Sequence, residues 1–237
     1  MKMRRFKNEK MNKLPEIQKV FKNEVVEEGI KTKLTIYGDI GESWWGDSIS
    51  AADIKRSLET ITTNKLDVHI NSYGGDVFDG IAIYNQLKNH NAEVTVYIDG
   101  VAASAASLIA MAGNEVIVNI GGQLMIHEAS TYAWGNKGEI QKTLNALESI
   151  DKSIADIYMT RFEGERSEIE TMIVNETWFT ANEAVEFGLA DKVNEVVNES
   201  QVDPEEFKNK VLARFRNQKQ NVTNSNILAK LKRNSNE

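Results

Sequence analysis

The chain contains no cysteine. That absence excludes disulfides, thiolate zinc sites, iron–sulfur clusters and cysteine-nucleophile catalysis together. Proline is nearly missing too: Pro15 and Pro204 are the only two, and both lie in the flanks. The stretch from about residue 31 to 198 has none, which suits uninterrupted strands and helices. Apolar runs stop well short of the ~20 residues a membrane helix needs. The basic start, MKMRRFKNEKMNKLPEIQ, lacks the apolar segment of a secretory signal, so a cytoplasmic location with no membrane partner is expected. What is present, 41% hydrophobic and 27% charged residues in 237, describes a folded core of one domain with tails.

Charge divides the chain in the same places. Residues 1–30 carry eight Lys/Arg against five Asp/Glu, and residues 199–237 carry the same. Residues 31–198 are left with 12 basic and 25 acidic side chains, a balance that argues against nucleic-acid binding by the core. The reading is a basic N-terminal segment (1–30), a folded core domain (31–198) and a polar, Asn/Gln/Lys-rich tail (199–237).

Within the core, strand and helix patterns alternate. LTIYGDI (34–40), LDVHI (66–70), EVTVYID (93–99), EVIVNI (115–120) and QLMIHEA (123–129) read as strands. Capping-box pairs, Ser50 with Asp53 and Thr180 with Glu183, open helices. Val77, Ile81, Tyr84 and Leu87 recur at helical spacing. GVAASAASLIAMAG (100–113) reads as a buried helix. Residues 139–162 read as a long helix with Ile140, Leu144, Leu147, Ile150, Ile154 and Ile157 on one stripe. The class is α/β with a largely parallel sheet. In such sheets functional groups gather at the carboxyl ends of strands, here the turns 71–76, 100–104 and 127–129.

Histidine is scarce, with His69, His90 and His127. His127 follows an apolar strand and leads into a loop, where an imidazole would face a cleft. Ser104 lies where a strand passes into a helix among small neighbours, so a substrate chain could come close. A serine needs a base within hydrogen-bond reach before it attacks, and Ser107, one turn on, is the rival nucleophile. Gly74-Gly75 could turn two backbone amides toward an oxyanion, or simply satisfy a tight turn. No GxxxxGK[ST] is present, so a P-loop ATPase is not expected. Glu128, Glu176 and Asp191 are all candidates for the carboxylate that orients the histidine, and spacing does not choose among them.

Four segments together resemble the Clp-type (ClpP-like) serine peptidases. INSYGGDVFDGIAIYNQL (70–87) is similar to their INSPGG segment, with Tyr73 in place of the usual proline. GVAASAASLIAMAG is similar to their nucleophile segment, LMIHEA to MIHQP, and ETWFTANEAVEFGLADKV (176–193) to the closing segment around EAVEYGLVD. SWWGD (43–47), GGDVFDG and ETWFTA resemble the phage and prophage branch, the head-maturation (prohead) proteases. The resemblance implies a spiral of β-β-α units shared with the crotonases, and a long handle over residues 131–175. It makes Ser104 the nucleophile, His127 the general base, and Gly75 and Ala105 the oxyanion-hole amides. Glu176 takes the place of the family's aspartate. It implies a protein or peptide substrate, a homo-oligomer of heptameric rings stacked in pairs, and no metal or organic cofactor. The basic N-terminus has no match to the family's axial loop, which argues against an ATPase unfoldase partner. Capsid or scaffold protein is the substrate that the phage branch implies. The alternatives are a Clp proteolytic subunit, a crotonase-type acyl-CoA enzyme and a non-catalytic assembly scaffold.

Overall fold

The computed structural model describes residues 15–42 and 48–194. SWWGD and the polar tail fall outside them. In chain order the elements begin with a charged hairpin, β1 (Val20–Glu27) and β2 (Lys31–Tyr37), followed by β3 (Asp39–Ile40) and β4 (Ser48–Ile49). Next come α1 (Ala51–Leu58), β5 (Lys65–Ser72), α2 (Val77–Lys88), β6 (Glu93–Ala103), α3 (Ala105–Ala110), β7 (Glu115–Asn119) and β8 (Gln123–Ile126). The chain then forms α4 (Lys137–Tyr158), α5 (Arg166–Val174), β9 (Thr177–Thr180), α6 (Ala181–Glu186) and β10 (Lys192–Asn194). No helix among the described residues is long and apolar enough to cross a membrane.

The main sheet runs β1-β2-β5-β6-β7-β10, with β8 on β6 and β9 on β8. Pairing is parallel from β2 through β10, and antiparallel only where β1 meets β2 and β9 meets β8. The α/β class with a mostly parallel sheet is therefore observed. Alternation explains which face is inside. In β5, Leu66, Val68, Ile70 and Ser72 are buried while Asp67, His69 and Asn71 lie half-buried on the other face. In β6, Val94, Val96 and Ile98 match them. The capping boxes at Ser50 and Thr180 both form, each side chain accepting from an N3 amide while the N3 carboxylate reaches back.

Two departures from the sequence reading bear on the site. Residues 100–103 are strand, not helix: β6 continues, and Val101–Ala103 pair in parallel with Gln123–Met125. Small residues at these positions fit a buried strand as well as a buried helix, and pairing with β8 decides for the strand. The helix starts only at Ala105. Second, the α4 stripe divides. Ile154 and Ile157 are buried in the core, and Ile150 packs against it. Only Ile140 and Leu144 stand exposed, beside Tyr132 and the almost fully exposed Trp134 in the preceding loop.

Candidate active site

Three parallel strands end side by side. Ser72 of β5 is level with Ala102 of β6, and Ala103 of β6 is level with Met125 of β8. The segments that follow are therefore neighbours in space although distant in sequence: Gly74-Gly75, Ser104 and His127.

Ser104 occupies the turn between β6 and α3 with φ 55° and ψ −127°. A residue with a Cβ rarely adopts positive φ, and holding one there costs on the order of 1–3 kcal/mol. The surroundings enforce it. The Ser104 N–H donates to Met125 O at 3.0 Å, and its carbonyl accepts from the Ser107 N–H at 2.9 Å and the Ser107 hydroxyl at 2.6 Å. Ser107 is fully buried and its oxygen lies 2.7 Å from the hydroxyl of Tyr158. The rival serine thus braces the turn from behind. The Ser104 side chain is left pointing the other way, with Oγ 2.7 Å from Nε2 of His127. With the imidazole neutral and its proton on Nδ1, the serine O–H donates to that nitrogen.

Gly74 packs directly on this turn. A Cβ there would collide with the Ala103 carbonyl and lie 2.7 Å from the Ala105 nitrogen. Its φ of +89° and the +153° of Gly75 also favour glycine. Ile40 of β3 fixes the loop from the far side, donating to Gly74 O at 2.9 Å and accepting from the Asp76 N–H at 3.0 Å. Among the described residues, neither the Gly75 N–H nor the Ala105 N–H donates to a backbone acceptor. A tetrahedral oxyanion requires amide donors of this kind. Gly80 brings α2 equally close to α3, since a Cβ there would lie 2.9 Å from that of Ala105.

His127 is half-buried just beyond β8. Burial pushes its pKa below the usual imidazole range, and the negative charges of Glu176 and Asp151 pull it back up. An imidazole held neutral near pH 7 is poised to accept a proton. Glu176 sits between α5 and β9 in a second positive-φ conformation, φ 51°. The three carboxylates considered from sequence therefore separate. Glu176 acts on His127 electrostatically. Glu128 is exposed next to it in the chain. Asp191 is occupied elsewhere, accepting from the Val116 N–H at 2.6 Å and pairing with Arg161.

Asp151 was missed by the sequence reading. It projects from α4 and its Oδ1 accepts the Ala129 N–H at 2.8 Å. Burial raises its pKa, while that hydrogen bond and the nearby His127 lower it. The signal was available: Asp151 precedes buried Ile154 and Ala155 by three and four residues, so it lies on the inward flank of the helix, where a carboxylate needs a partner.

The Clp protease family model matches residues 49–197. The chain is 32% identical over 155 residues to the ATP-dependent Clp protease proteolytic subunit 1 of Protochlamydia amoebophila, covering 62% of this chain and 75% of that one. The subunit 1 protein of Chlamydia abortus is 32% identical over 128 residues, 52% of this chain and 67% of its own. The Clp protease proteolytic subunit of Bacteroides thetaiotaomicron is 27% identical over 139 residues, 57% and 63% of the two chains. With the family match spanning the glycine turn, the serine turn, the histidine strand end and the Glu176 segment, the chain belongs to the Clp protease family.

Proposed function

We propose that the chain is a serine endopeptidase in which Ser104 attacks the peptide carbonyl while His127 takes its proton. The tetrahedral oxyanion is held by the amides of Gly75 and Ala105. His127 then gives the proton to the leaving amine, and water hydrolyses the acyl-enzyme by the reverse sequence. Glu176 serves as the orienting carboxylate, presented from a turn at φ 51°. This chemistry calls for no metal or organic cofactor. The carrying observation is the 2.7 Å approach of Ser104 Oγ to His127 Nε2 at a strained strand–helix turn.

The biological setting we favour is head maturation in a phage or prophage, with capsid or scaffold protein as substrate, because GGDVFDG and ETWFTA follow that branch. The fold would then be the family's spiral, with residues 131–175 as the handle and 31–198 as the peptidase domain. Exposed Ile140 and Leu144 support assembly into a homo-oligomer, where a second copy would cover them. The names of the relatives support a second setting, the proteolytic subunit of an ATP-dependent Clp protease working under a separate ATPase.

A fluorophosphonate probe followed by mass spectrometry tests the chemistry. The adduct should map to Ser104 and vanish in Ser104→Ala. Labelling of Ser107 in the native protein, or no adduct between pH 6 and 9, would refute the assignment.

A further inference from the structure

His127 faces charge from two directions. From the turn after α5 comes Glu176, and from α4 comes Asp151. Exposed Glu128 follows it in the loop beyond β8, and Ser104 faces Nε2 from the β6–α3 turn. A Ser–His pair needs one carboxylate to orient the ring, so the second calls for an explanation.

Asp151 is tied to the backbone of the histidine segment itself. The Ala129 amide that it accepts lies two residues beyond His127, where the chain has left β8 and has no ladder partner to hold it. A carboxylate accepting a backbone N–H makes a charge-assisted bond, stronger than a neutral one. The segment is thereby pinned at both ends. Ile126 is paired with Thr177 of β9, and Ala129 is fastened to α4. The imidazole between them has little freedom to swing away from Ser104.

We propose that Asp151 is a positioning residue for His127, clamping residues 127–129 onto α4 and setting a second negative charge beside that of Glu176 against the imidazolium formed during attack. The inference rests on the Ser104–His127 peptidase reading above. Its two parts separate by substitution. In Asp151→Asn the side-chain oxygen still accepts the Ala129 N–H, but the charge is gone. In Asp151→Ala both are lost, whereas Asp151→Glu keeps the charge on a longer arm.

The sign follows from electrostatics. A negative neighbour raises a histidine pKa, so its removal lowers that pKa. In Asp151→Asn the acid limb of the pH profile for fluorophosphonate inactivation should move down by about half to one pH unit. The plateau rate for a peptide substrate should fall about three- to tenfold with KM unchanged, since the imidazolium is less stabilised in the transition state. Asp151→Ala should lose more than Asp151→Asn, and Asp151→Glu should restore the limb toward that of the native protein.

Histidine-selective carbon-13 labelling gives a readout that does not depend on turnover. The His127 resonance, identified by its absence in His127→Gln, should titrate at lower pH in Asp151→Asn than in the native protein. An unchanged titration and an unchanged plateau in Asp151→Asn would overturn the proposal. So would equal activity of Asp151→Asn and Asp151→Glu. If the native protein is never labelled at Ser104, the peptidase reading fails instead, and the titration still decides whether Asp151 acts on His127.

Discussion

His69 and His127 each stand beside carboxylates, yet every other contact differs. Nδ1 of His69 lies 2.8 Å from Asp99, and its ring stacks on Tyr97 with centroids 4.7 Å apart. Asp99 also accepts from the Tyr37 hydroxyl at 2.5 Å and the Asn119 amide at 2.6 Å. This network ties β2, β5, β6 and β7 together across the polar face of the sheet. Its backbone is regular strand, and among the described residues no serine or threonine hydroxyl is hydrogen-bonded to the imidazole. His127 lies past a strand end, against a serine in a strained turn. A histidine–carboxylate pair alone is therefore not a catalytic signature. Backbone irregularity beside it is what separates a site from a brace.

Exchanging the two histidines' fates gives the largest contrast. His127→Ala should reduce kcat by a factor of roughly a thousand or more while leaving the fold intact by circular dichroism. His69→Ala should keep kcat within about threefold but lower stability by about 1–3 kcal/mol, because it leaves Asp99 short of a partner. Urea unfolding and peptide cleavage on the same preparations measure both. A large kcat loss in His69→Ala without a stability loss would break the contrast.

A smaller effect comes from the glycine turn. Gly74→Ala puts a methyl against the Ala103 carbonyl and 2.7 Å from the Ala105 nitrogen, so the serine turn and its amides must shift. Loss of one oxyanion donor lowers kcat by about a hundred- to a thousandfold. The expected decrease lies at or below that range, with the His127 titration unaltered. Gly121 offers the matched control. It too has positive φ, but nothing lies within 4 Å of the position a Cβ would take, so Gly121→Ala should cost stability and leave kcat alone.

The two regions were unequally legible in sequence. Strand β5 and the first part of β6 declared themselves by alternating apolar residues, β7 by a short continuous apolar run, and α1 and α6 by their capping boxes. The site was readable mainly because four separate motifs resemble one family. Spacing alone left Ser104 against Ser107 and three carboxylates open. The strand at 100–103 was hidden because Gly, Val and Ala carry no period, and only pairing with β8 distinguishes it. Strand β1 was hidden for the opposite reason: VFKNEVVE is mostly exposed, so its pattern reflects an edge against water rather than a core face. Asp151 was overlooked because the α4 stripe was read for its apolar members only. The split of that stripe, buried toward Ile157 and open toward Ile140, depends on where α4 leaves the core, which no helical period encodes.

The smallest effect expected is the difference in how the two regions respond to acid. Burial holds His127 below its ordinary pKa, so the unfolded chain binds a proton there more readily than the folded one. The stability that His127 contributes in its neutral form is present above the ordinary imidazole pKa of about 6.5 and is lost as pH falls below it. Asp99 behaves differently. Burial alone would raise its pKa, but the His69 and Tyr37 hydrogen bonds outweigh burial and hold it below the carboxylate range. Its contribution is therefore present above about pH 3.9 and is lost only as pH falls further, through its folded pKa. Urea midpoints of the native protein should decline gently between pH 7 and 5 and more steeply below 4. His127→Gln should flatten the first decline and keep the second. Asp99→Asn should lower the midpoint at neutral pH, keep the first decline and blunt the second. A native midpoint that stays level from pH 7 to 5, or a His127→Gln profile identical to the native one, would mean that His127 is not held neutral by the fold.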